Sequence, residues 1–331
     1  MVLHGLPSND RRVKIRDLLL AVLVAVLWGF NFVVIDTGLR HIPPLMFGAL
    51  RFTAVAVPAV FFVGKPQVPR RWIIATGLTL GAAQFALLFA GMAAGMPAGL
   101  SGIVVQGQVV FTTVFGVVLL RERPGPLRLV GVAVSAVGLV VVGSALGPNR
   151  PAGAFVLVVA AGAAWGLGNI AIGKAAAPDM PRFMAWMGVV AAPPLAVGSL
   201  LVEGPHADLT ALRGMSLTSA GAVGYVAWLS TLVGYGAWGT LIRRHGATTI
   251  APFSMLVPVV ALISTAAVLG ERITGADLIG GVLVIGGVLL GTLAQRTPGT
   301  ATSGERSPDA ASRDGRAGQN AEYASFARVK P

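Results

Sequence analysis

Cysteine is absent from this 331-residue chain, and charged residues make up only 11% of it. Without a thiol there is no disulfide framework, no thiolate metal site and no cysteine nucleophile. Ordinary soluble proteins carry about 25% charged residues. This low charge, together with 55% apolar side chains and a mean hydropathy of +0.78, excludes a water-soluble globular protein. The composition indicates a chain that buries most of its surface in lipid.

The basic residues do not form a nucleic-acid-binding surface, although the formal net charge is +12. Nucleic-acid-binding proteins cluster their cations on one face or along one helix. Here Lys and Arg stand singly or in small groups between apolar runs. This placement is typical of the loops that orient a membrane protein. We therefore expect the lipid bilayer, and no nucleic acid, among the partners.

Ten mainly apolar runs are long enough, at about 20 residues, to cross a hydrocarbon core of about 30 Å as helices. The period-two alternation of a membrane β-barrel is missing. The first run has no obvious cleavage site and nine more follow it, so we do not interpret it as a signal peptide. We predict an all-α polytopic membrane protein with spans at Leu18–Ile35, Pro44–Val63, Trp72–Ala94, Ala98–Leu120, Leu127–Leu146, Ala152–Gly173, Phe183–Val202, Ser216–Ile242, Thr248–Leu269 and Thr274–Ala294.

The charges of the loops predict the orientation of these spans. Of the 25 Lys and Arg residues, 20 fall on the side of the N-terminus and 4 on the other, while Arg51 lies inside the second span. Cytoplasmic loops carry the excess of basic residues. Both termini are therefore predicted to be cytoplasmic, in a multi-pass protein of the inner or plasma membrane. The tail 295–331, rich in Ala, Gly, Ser, Arg and Asp, is predicted to be disordered.

The sequence contains an internal repeat. WGFN at 28–31 is echoed by WGLGN at 165–169, and LRER at 120–123 by LGER at 269–272. A shift of 149 residues also superposes two glycine pairs, Gly131 on Gly280 and Gly138 on Gly287. Each copy holds five spans, an odd number, so the second must insert with the opposite orientation. We predict two inverted five-helix repeats, 18–146 and 152–294, between an arm (1–17) and the tail, with a shared site near the midplane.

Five strings spread over both repeats resemble the EamA-type branch of the drug/metabolite transporter superfamily. They are WGFNFVVIDTGLRHIPPLMFGALRF (28–52), GMPAGL (95–100), VGYGAWGTL (233–241), LVPVV (256–260) and LGERITG (269–275). The resemblance extends from about residue 17 to residue 295. It implies a ten-helix basket whose central cavity is lined mainly by the early helices of each half. Within the branch the chain is similar to exporters of amino-acid metabolites such as cysteine and O-acetylserine, which implies a secondary transporter working by alternating access.

Two motifs that suggest an enzyme do not support one. The string GNIAIGKA (168–175) fits a phosphate-binding loop but has Ala where Mg²⁺ binding needs Ser or Thr, and it lies inside a span. The string GLSG (99–102) resembles the nucleophile of intramembrane serine proteases, which need a base within reach. All four histidines fall outside the predicted spans. We expect no enzymatic activity, no metal and no cofactor.

Polar and aromatic side chains inside the spans are the candidates for substrate binding, because such groups face the bundle interior or a wet cavity. Trp28 and Asn31 lie on one helical face, and Trp165 and Asn169 are their repeat-related counterparts. Three amides, Gln84, Gln106 and Gln108, each offer donors and acceptors that suit a neutral or zwitterionic solute. Residues two apart cannot share a face, so only one of the last two can line the cavity, and we retain Gln106. Hydrogen bonding between helices remains the alternative for each candidate.

The eighth and ninth spans add further candidates. Tyr235, between two glycines, is predicted to face the cavity, whereas an interfacial belt explains Trp238. Ser254 is a candidate ligand because it stands between two prolines, which bend a helix and free its carbonyls. Three prolines are predicted hinges, namely Pro97, Pro252 and Pro258.

Three charged residues are candidates for binding or coupling. Arg51 either extends to the surface and orients its helix, or pairs with Asp36, or captures a substrate carboxylate. Asp36 is the only carboxylate placed to cycle a proton, since no Glu lies within a predicted span. Members of the family often carry Lys at this position, whereas Lys174, at the related place in the second half, keeps that residue type. Proton coupling, exchange and facilitated efflux all remain open, as do a carrier of nucleosides or drugs and a non-transporting sensor or scaffold.

Overall fold

The computed structural model describes residues 14–146 and 151–293. Within these ranges ten helices are long and apolar enough to cross a membrane, and a shorter helix lies between the seventh and the eighth span. The N-terminal arm up to residue 13 and the tail from residue 294 lie outside the described residues, so the predicted disorder of the tail stays a prediction. The helices are α1 (Ile15–Leu39), α2 (Pro44–Phe62), α3 (Arg70–Ala93), α4 (Ala98–Leu120), α5 (Pro126–Ser144), α6 (Ala152–Ala175), α7 (Met180–Glu203), α8 (Pro205–Arg213), α9 (Leu217–His245), α10 (Pro252–Leu269) and α11 (Gly275–Leu293).

The predicted all-α polytopic fold is confirmed, but some helix ends differ from prediction, and at these ends a carboxylate finds partners. Helix α1 begins at Ile15 and includes Asp17, which is 4% exposed and bonds Arg244 at 3.0 Å and His245 at 2.8 Å. Helix α7 extends to Glu203, whose carboxylate accepts backbone hydrogen bonds from α2. The expectations that no Glu lies within a span and that Asp36 is the only carboxylate so placed were therefore wrong.

Several spans are not regular α-helices. Helix α3 contains a π-helical segment at Gly77–Ala83, and α9 contains one at Tyr225–Val233. Helix α4 is interrupted by a 3₁₀ turn at Val105–Gly107, and α10 opens with another at Ala251–Met255. These π segments and 3₁₀ turns lie in repeat-related helices, whereas a further π segment, at Ser199–Glu203 of α7, has no counterpart in α2. Segments of this kind are frequent at functional sites.

The two halves pair as inverted repeats should. Helix α2 packs against its counterpart α7, and α5 packs against its counterpart α11. Helix α1 packs on α10, and the equivalent contact joins α6 to α4. When the two halves are exchanged, each of these helix pairs therefore either maps onto itself or onto another pair that is in contact.

Helices α5 and α11 meet along a seam of glycines. A Cβ on Gly138 would lie 2.7 Å from the backbone nitrogen of Val284, and one on Gly131 would lie 2.6 Å from that of Gly291. Ser135 Oγ donates across the seam to the carbonyl of Val284 at 3.1 Å. Small residues let the two backbones approach this closely, as is common between membrane helices. Ser135 and Val284 are 149 residues apart, so they occupy equivalent positions in the two repeats. Because equivalent positions meet here, the seam lies on the axis that relates the repeats.

Candidate functional site

Arg51 is buried in the interior of the bundle near the middle of α2. Its side chain is 5% exposed, and Nη2 donates to Thr231 Oγ1, at the middle of α9, over 3.3 Å. The guanidinium carbon lies 3.9 Å from the ring centroid of Phe85 on α3 and 5.4 Å from that of Phe52. Nε and Nη1 have no hydrogen-bond partner among the described residues. A cation with two free donors thus sits where α2, α3 and α9 meet.

Two expectations for Arg51 are corrected by this geometry. The side chain does not extend to the membrane surface, because it turns inward onto Phe85. It also does not pair with Asp36, whose carboxylate instead accepts from Arg40 Nε at 3.0 Å and Nη2 at 2.8 Å, four residues along the same helix. The third alternative for Arg51, capture of a substrate carboxylate, stays a prediction.

An aromatic cluster anchors α1 to α9 next to this cation. Trp28 Nε1 donates to the carbonyl of Ser230 at 2.9 Å, and its ring centroid lies 5.1 Å from that of Tyr235 and 5.3 Å from that of Trp238. Trp238, which we assigned to an interfacial belt, therefore also packs against a predicted site residue. Ser230 is the neighbour in sequence of Thr231, to which Arg51 donates. The cluster joins the predicted pair Trp28 and Tyr235 to the buried cation.

The two repeat-related asparagines differ in their partners. Asn31 is 9% exposed, and its Oδ1 has no hydrogen-bond partner within the ranges that the structure describes. Asn169 Nδ2 donates to Gln108 Oε1 at 2.6 Å and to Thr112 Oγ1 at 3.1 Å, which joins α6 to α4. Asn169 thus holds two helices together, whereas Asn31 presents an unused acceptor one turn of α1 from Trp28.

Among the predicted amides, the structure selects differently from the sequence. Gln84 is buried at 4% exposure beside Phe85 on α3. Gln106 lies partly buried in the 3₁₀ turn of α4, and it is Gln108 that bonds Asn169. The signal that could have favoured Gln108 is its spacing of four residues from Thr112, which puts two polar groups on one helical face.

The remaining predicted residues lie farther from this cluster or only border it. Trp165 is partly buried against the main apolar cluster, and Ser254 is partly buried in the opening turn of α10. Lys174 is exposed in the last turn of α6. Of the predicted hinges, Pro97 immediately precedes α4, Pro252 is exposed in the first turn of α10 and Pro258 is buried within α10.

Two glutamates that sequence reasoning did not select cap helices of the opposite half. Glu271, between α10 and α11, accepts from the backbone nitrogens of Ala98 and Gly99 at 2.6 and 3.0 Å, at the start of α4. Glu203 accepts from those of Leu45 and Met46 at 2.7 and 3.1 Å, at the start of α2. The first backbone amides of a helix lack partners within the helix and carry partial positive charge, so a carboxylate there is stabilising. Both caps lie at the end of the bundle predicted to be extracytoplasmic.

The bend between α10 and α11 that carries Glu271, here called an elbow, has a repeat-related copy around Glu122, between α4 and α5. Arg121 and Gly270 both adopt left-handed backbone conformations, with φ of 55° and 68°. The backbone nitrogen of Glu122 donates to the carbonyl of Gly116 at 3.1 Å, and that of Glu271 donates to Thr265 at 3.4 Å. Yet Glu122 is exposed, 3.9 Å from Arg128. The two elbows are alike in local geometry and differ in what their carboxylates reach.

The contact between α4 and α10 is likewise made at one end only. In the outer half of α4, a Cβ on Gly102 would lie 3.0 Å from the Cβ of Ala261 on α10. The repeat counterpart would join the inner half of α4 to the first turns of α10, and no extended contact of that kind occurs within the residues described. The contact between α4 and α10 is therefore made only at the predicted extracytoplasmic end, whereas other contacts between the halves, such as that of Asp17 with Arg244 and His245, lie at the other end.

Comparison with known proteins identifies the family. The model of the EamA-like transporter family matches twice, at residues 16–144 and at residues 152–293, so that one match falls on each five-helix half. The chain belongs to this family. A crystal structure with 19% sequence identity, covering 86% of this chain and 99% of its own, superposes with a TM-score of 0.55 and supports the same fold.

Among curated EamA relatives, two are 39% identical over 266 residues. They come from Salmonella typhimurium LT2 and Escherichia coli K12, each is described as a probable amino-acid metabolite efflux pump, and the alignments cover 78% of this chain and 89% of the relative. An uncharacterized inner membrane transporter of E. coli K12 is 26% identical over 258 residues, with 75% of this chain and 81% of the relative covered. With ten apolar helices and this family membership, the protein is a multi-pass membrane efflux transporter.

Proposed function

We propose that this EamA transporter exports small amino-acid-like metabolites, of the cysteine and O-acetylserine type, from the cytoplasm by alternating access. The two relatives described as probable amino-acid metabolite efflux pumps support the substrate class. The observation that carries the mechanism is the one-sided closure between the repeats, in which Glu271 caps α4 while Glu122 stays exposed.

Inverted repeats provide two equivalent ways of closing one bundle. A shift of 149 residues places Ala98 and Gly99 on residues 247 and 248, in the helical turn that precedes α10. In the opposite state, Glu122 caps this turn and Glu271 releases α4. One carboxylate-to-backbone contact then replaces another of the same kind. The two states can therefore be close in free energy, which a carrier needs in order to cycle.

The loop charges assign a direction to this asymmetry. With both termini cytoplasmic, the end at which α4 and α10 meet faces the outside, and the end at which these two helices do not meet faces the cytoplasm. The structure then represents the inward-facing state, which loads cytoplasmic solute for export. Its polar midplane group, Arg51 with Asn31, is the binding site that both sides reach in turn.

Counterflow in proteoliposomes tests the proposed activity. We expect purified protein to exchange labelled cysteine and O-acetylserine across the membrane with saturable kinetics, in the presence and in the absence of a pH gradient. An effect of the gradient would support proton coupling, whereas its absence would support exchange or facilitated efflux. If inserted, folded protein shows no counterflow with either solute, the substrate assignment is wrong and carriers of nucleosides or drugs become the alternative.

A cross-link at the closed end tests alternating access. Because the chain contains no cysteine, the pair Gly102→Cys and Ala261→Cys can be joined without background reactions. The two Cβ positions, 3.0 Å apart, need only a small shift to reach disulfide geometry. We expect oxidation to stop O-acetylserine counterflow and reduction to restore it, with both single-cysteine variants unaffected. Cysteine is avoided as the solute here because its thiol would exchange with the disulfide. Full counterflow by completely cross-linked protein would contradict the mechanism.

A further inference from the structure

Arg51 carries a positive charge in the middle of the bundle without a counter-ion. Among the described residues no carboxylate lies within salt-bridge distance of its guanidinium, and the side chain is 95% buried. Burying an unpaired charge is costly, and ionisable groups inside membrane segments are retained mainly where they bind a solute or an ion. Two of the three guanidinium nitrogens form no hydrogen bond with the described residues, which argues against a purely structural role.

The surroundings of Arg51 hold the guanidinium in place while leaving donors free. Phe85 stacks on one face at 3.9 Å, and Thr231 accepts a single bond from Nη2 at 3.3 Å. Nε and Nη1 are left to donate. Nη2 has a second hydrogen besides the one that it donates to Thr231, so Nη1 and Nη2 together can offer a carboxylate two parallel N–H bonds.

The acceptor that the opposite end of an amino acid requires lies on α1. Asn31 Oδ1 is buried and lacks a partner among the described residues. Asn31 follows Trp28 by one helical turn, Trp28 donates to the carbonyl of Ser230, and the next residue, Thr231, accepts from Arg51. An amide oxygen accepts from an ammonium group. The interior of the bundle thus holds a cation with free donors and a free acceptor, the complement of a zwitterion.

We propose that Arg51 binds the carboxylate of the exported solute and that Asn31 Oδ1 accepts a hydrogen bond from its ammonium group. This assignment rests on the proposed function and makes it more specific. The recognised class is solutes that carry a free α-carboxylate beside an α-ammonium. The side chain of the solute is then left to the aromatic cluster of Trp28 and Tyr235.

Analogues of the solute test the assignment on the unaltered protein. We measure inhibition of O-acetylserine counterflow, and thermal stabilisation of the purified protein, by O-acetylserine and by its methyl ester, which lacks the negative charge. One charge-assisted hydrogen bond contributes a factor of about 10 to 100 in affinity. The ester should therefore act at least about 30-fold more weakly. Equal potency of acid and ester would overturn the role of Arg51.

Variants then locate the effect. Arg51→Gln should weaken binding of O-acetylserine by about 30-fold or more and leave that of the ester within about threefold, because the ester does not engage the charge. Arg40→Gln, which removes an exposed cation of α1, is the matched control and should change neither. A merely structural Arg51 would weaken acid and ester alike. If Arg51→Gln fails to fold, the comparison of acid and ester on the wild type still decides.

The two proposals fail in different ways. If other carboxylates stabilise the protein but cysteine and O-acetylserine do not, the Arg51 site is supported and the proposed solutes are wrong. Counterflow of O-acetylserine that its methyl ester inhibits equally well would support the proposed function and overturn the Arg51 site. If no carboxylate stabilises the protein, both proposals are wrong.

Discussion

The two halves of the molecule share one sequence motif and use it for different purposes. In the second half Asn169 is fully engaged, bonding Gln108 and Thr112 across to α4. In the first half Asn31 has a free oxygen, because the positions that correspond to Gln108 and Thr112 are Val257 and Ala261. A duplicated helix pair has thus kept its polar bond in one copy and lost the partner in the other. The copy without the bond supplies Asn31 Oδ1, one of the two proposed binding groups.

Where the halves are alike, equivalent substitutions should have equal effects. A Cβ at Gly287 would lie 2.6 Å from the backbone nitrogen of Ser135, and one at its counterpart Gly138 would lie 2.7 Å from that of Val284. We expect Gly287→Val and Gly138→Val each to destabilise the protein by about 3 kcal/mol, since overpacking against backbone cannot relax. The measurement is the yield of monodisperse protein and its unfolding temperature.

The neighbouring Gly286 provides the control for this seam. A Cβ there would meet nothing within 4 Å, so Gly286→Val should change stability by less than about 0.5 kcal/mol. If Gly286→Val and Gly287→Val were equally disruptive, close packing at the seam would not explain why residue 287 is a glycine.

Where the halves differ in conformation, the two elbow glutamates should respond unequally. Glu271→Ala removes the cap of α4, worth about 1–2 kcal/mol, and should shift the population toward the outward-facing state roughly tenfold. Glu122→Ala, the matched variant, removes an exposed side chain and should not open the outer end. The readout is the rate at which a membrane-impermeant reagent labels Ala261→Cys from outside, a position that is fully buried here. Equal labelling rates in the two variants would contradict the one-sided closure.

The asparagines give the clearest separation of function from stability. Asn169→Ala should cost about 1 kcal/mol of stability, within the range of interhelical bonds in membranes, because Gln108 loses its partner. Asn31→Ala should leave stability within about 0.5 kcal/mol and weaken counterflow of O-acetylserine roughly tenfold. Unfolding temperature and half-saturating concentration are measured for both. Loss of folded protein in Asn31→Ala would instead favour a structural role.

The smallest effects are expected at the helix ends. Asp36 forms a partly exposed ion pair with Arg40, and its repeat counterpart Lys174 is exposed. Such pairs contribute between zero and about 1 kcal/mol. Asp36→Asn and Lys174→Gln should therefore alter transport less than about twofold, measured across a range of pH. A shifted pH dependence in Asp36→Asn alone would return Asp36 to a role in coupling.

The sequence predicted the fold well because span length, loop charge and repeated motifs are local patterns. It selected Trp28, Asn31, Tyr235 and Arg51 as candidates, and their roles in binding stay predictions. It could not predict which of these meet, since the contacts of Arg51 with Phe85 and Thr231 join residues 34 and 180 positions apart. The sequence did not predict the carboxylate caps for a related reason. Glu203 and Glu271 are ordinary polar residues at helix ends until the fold brings them to backbone amides of the other half.

The π-helical segments of α3 and α9 have a consequence for the history of the chain. A shift of 149 residues carries Gly77–Ala83 onto residues 226–232, inside the segment Tyr225–Val233. A π turn holds one more residue than the α turn it replaces, so each segment records an inserted residue. Its presence at equivalent places in both copies is what duplication of a five-helix unit that already carried the widened turn would produce.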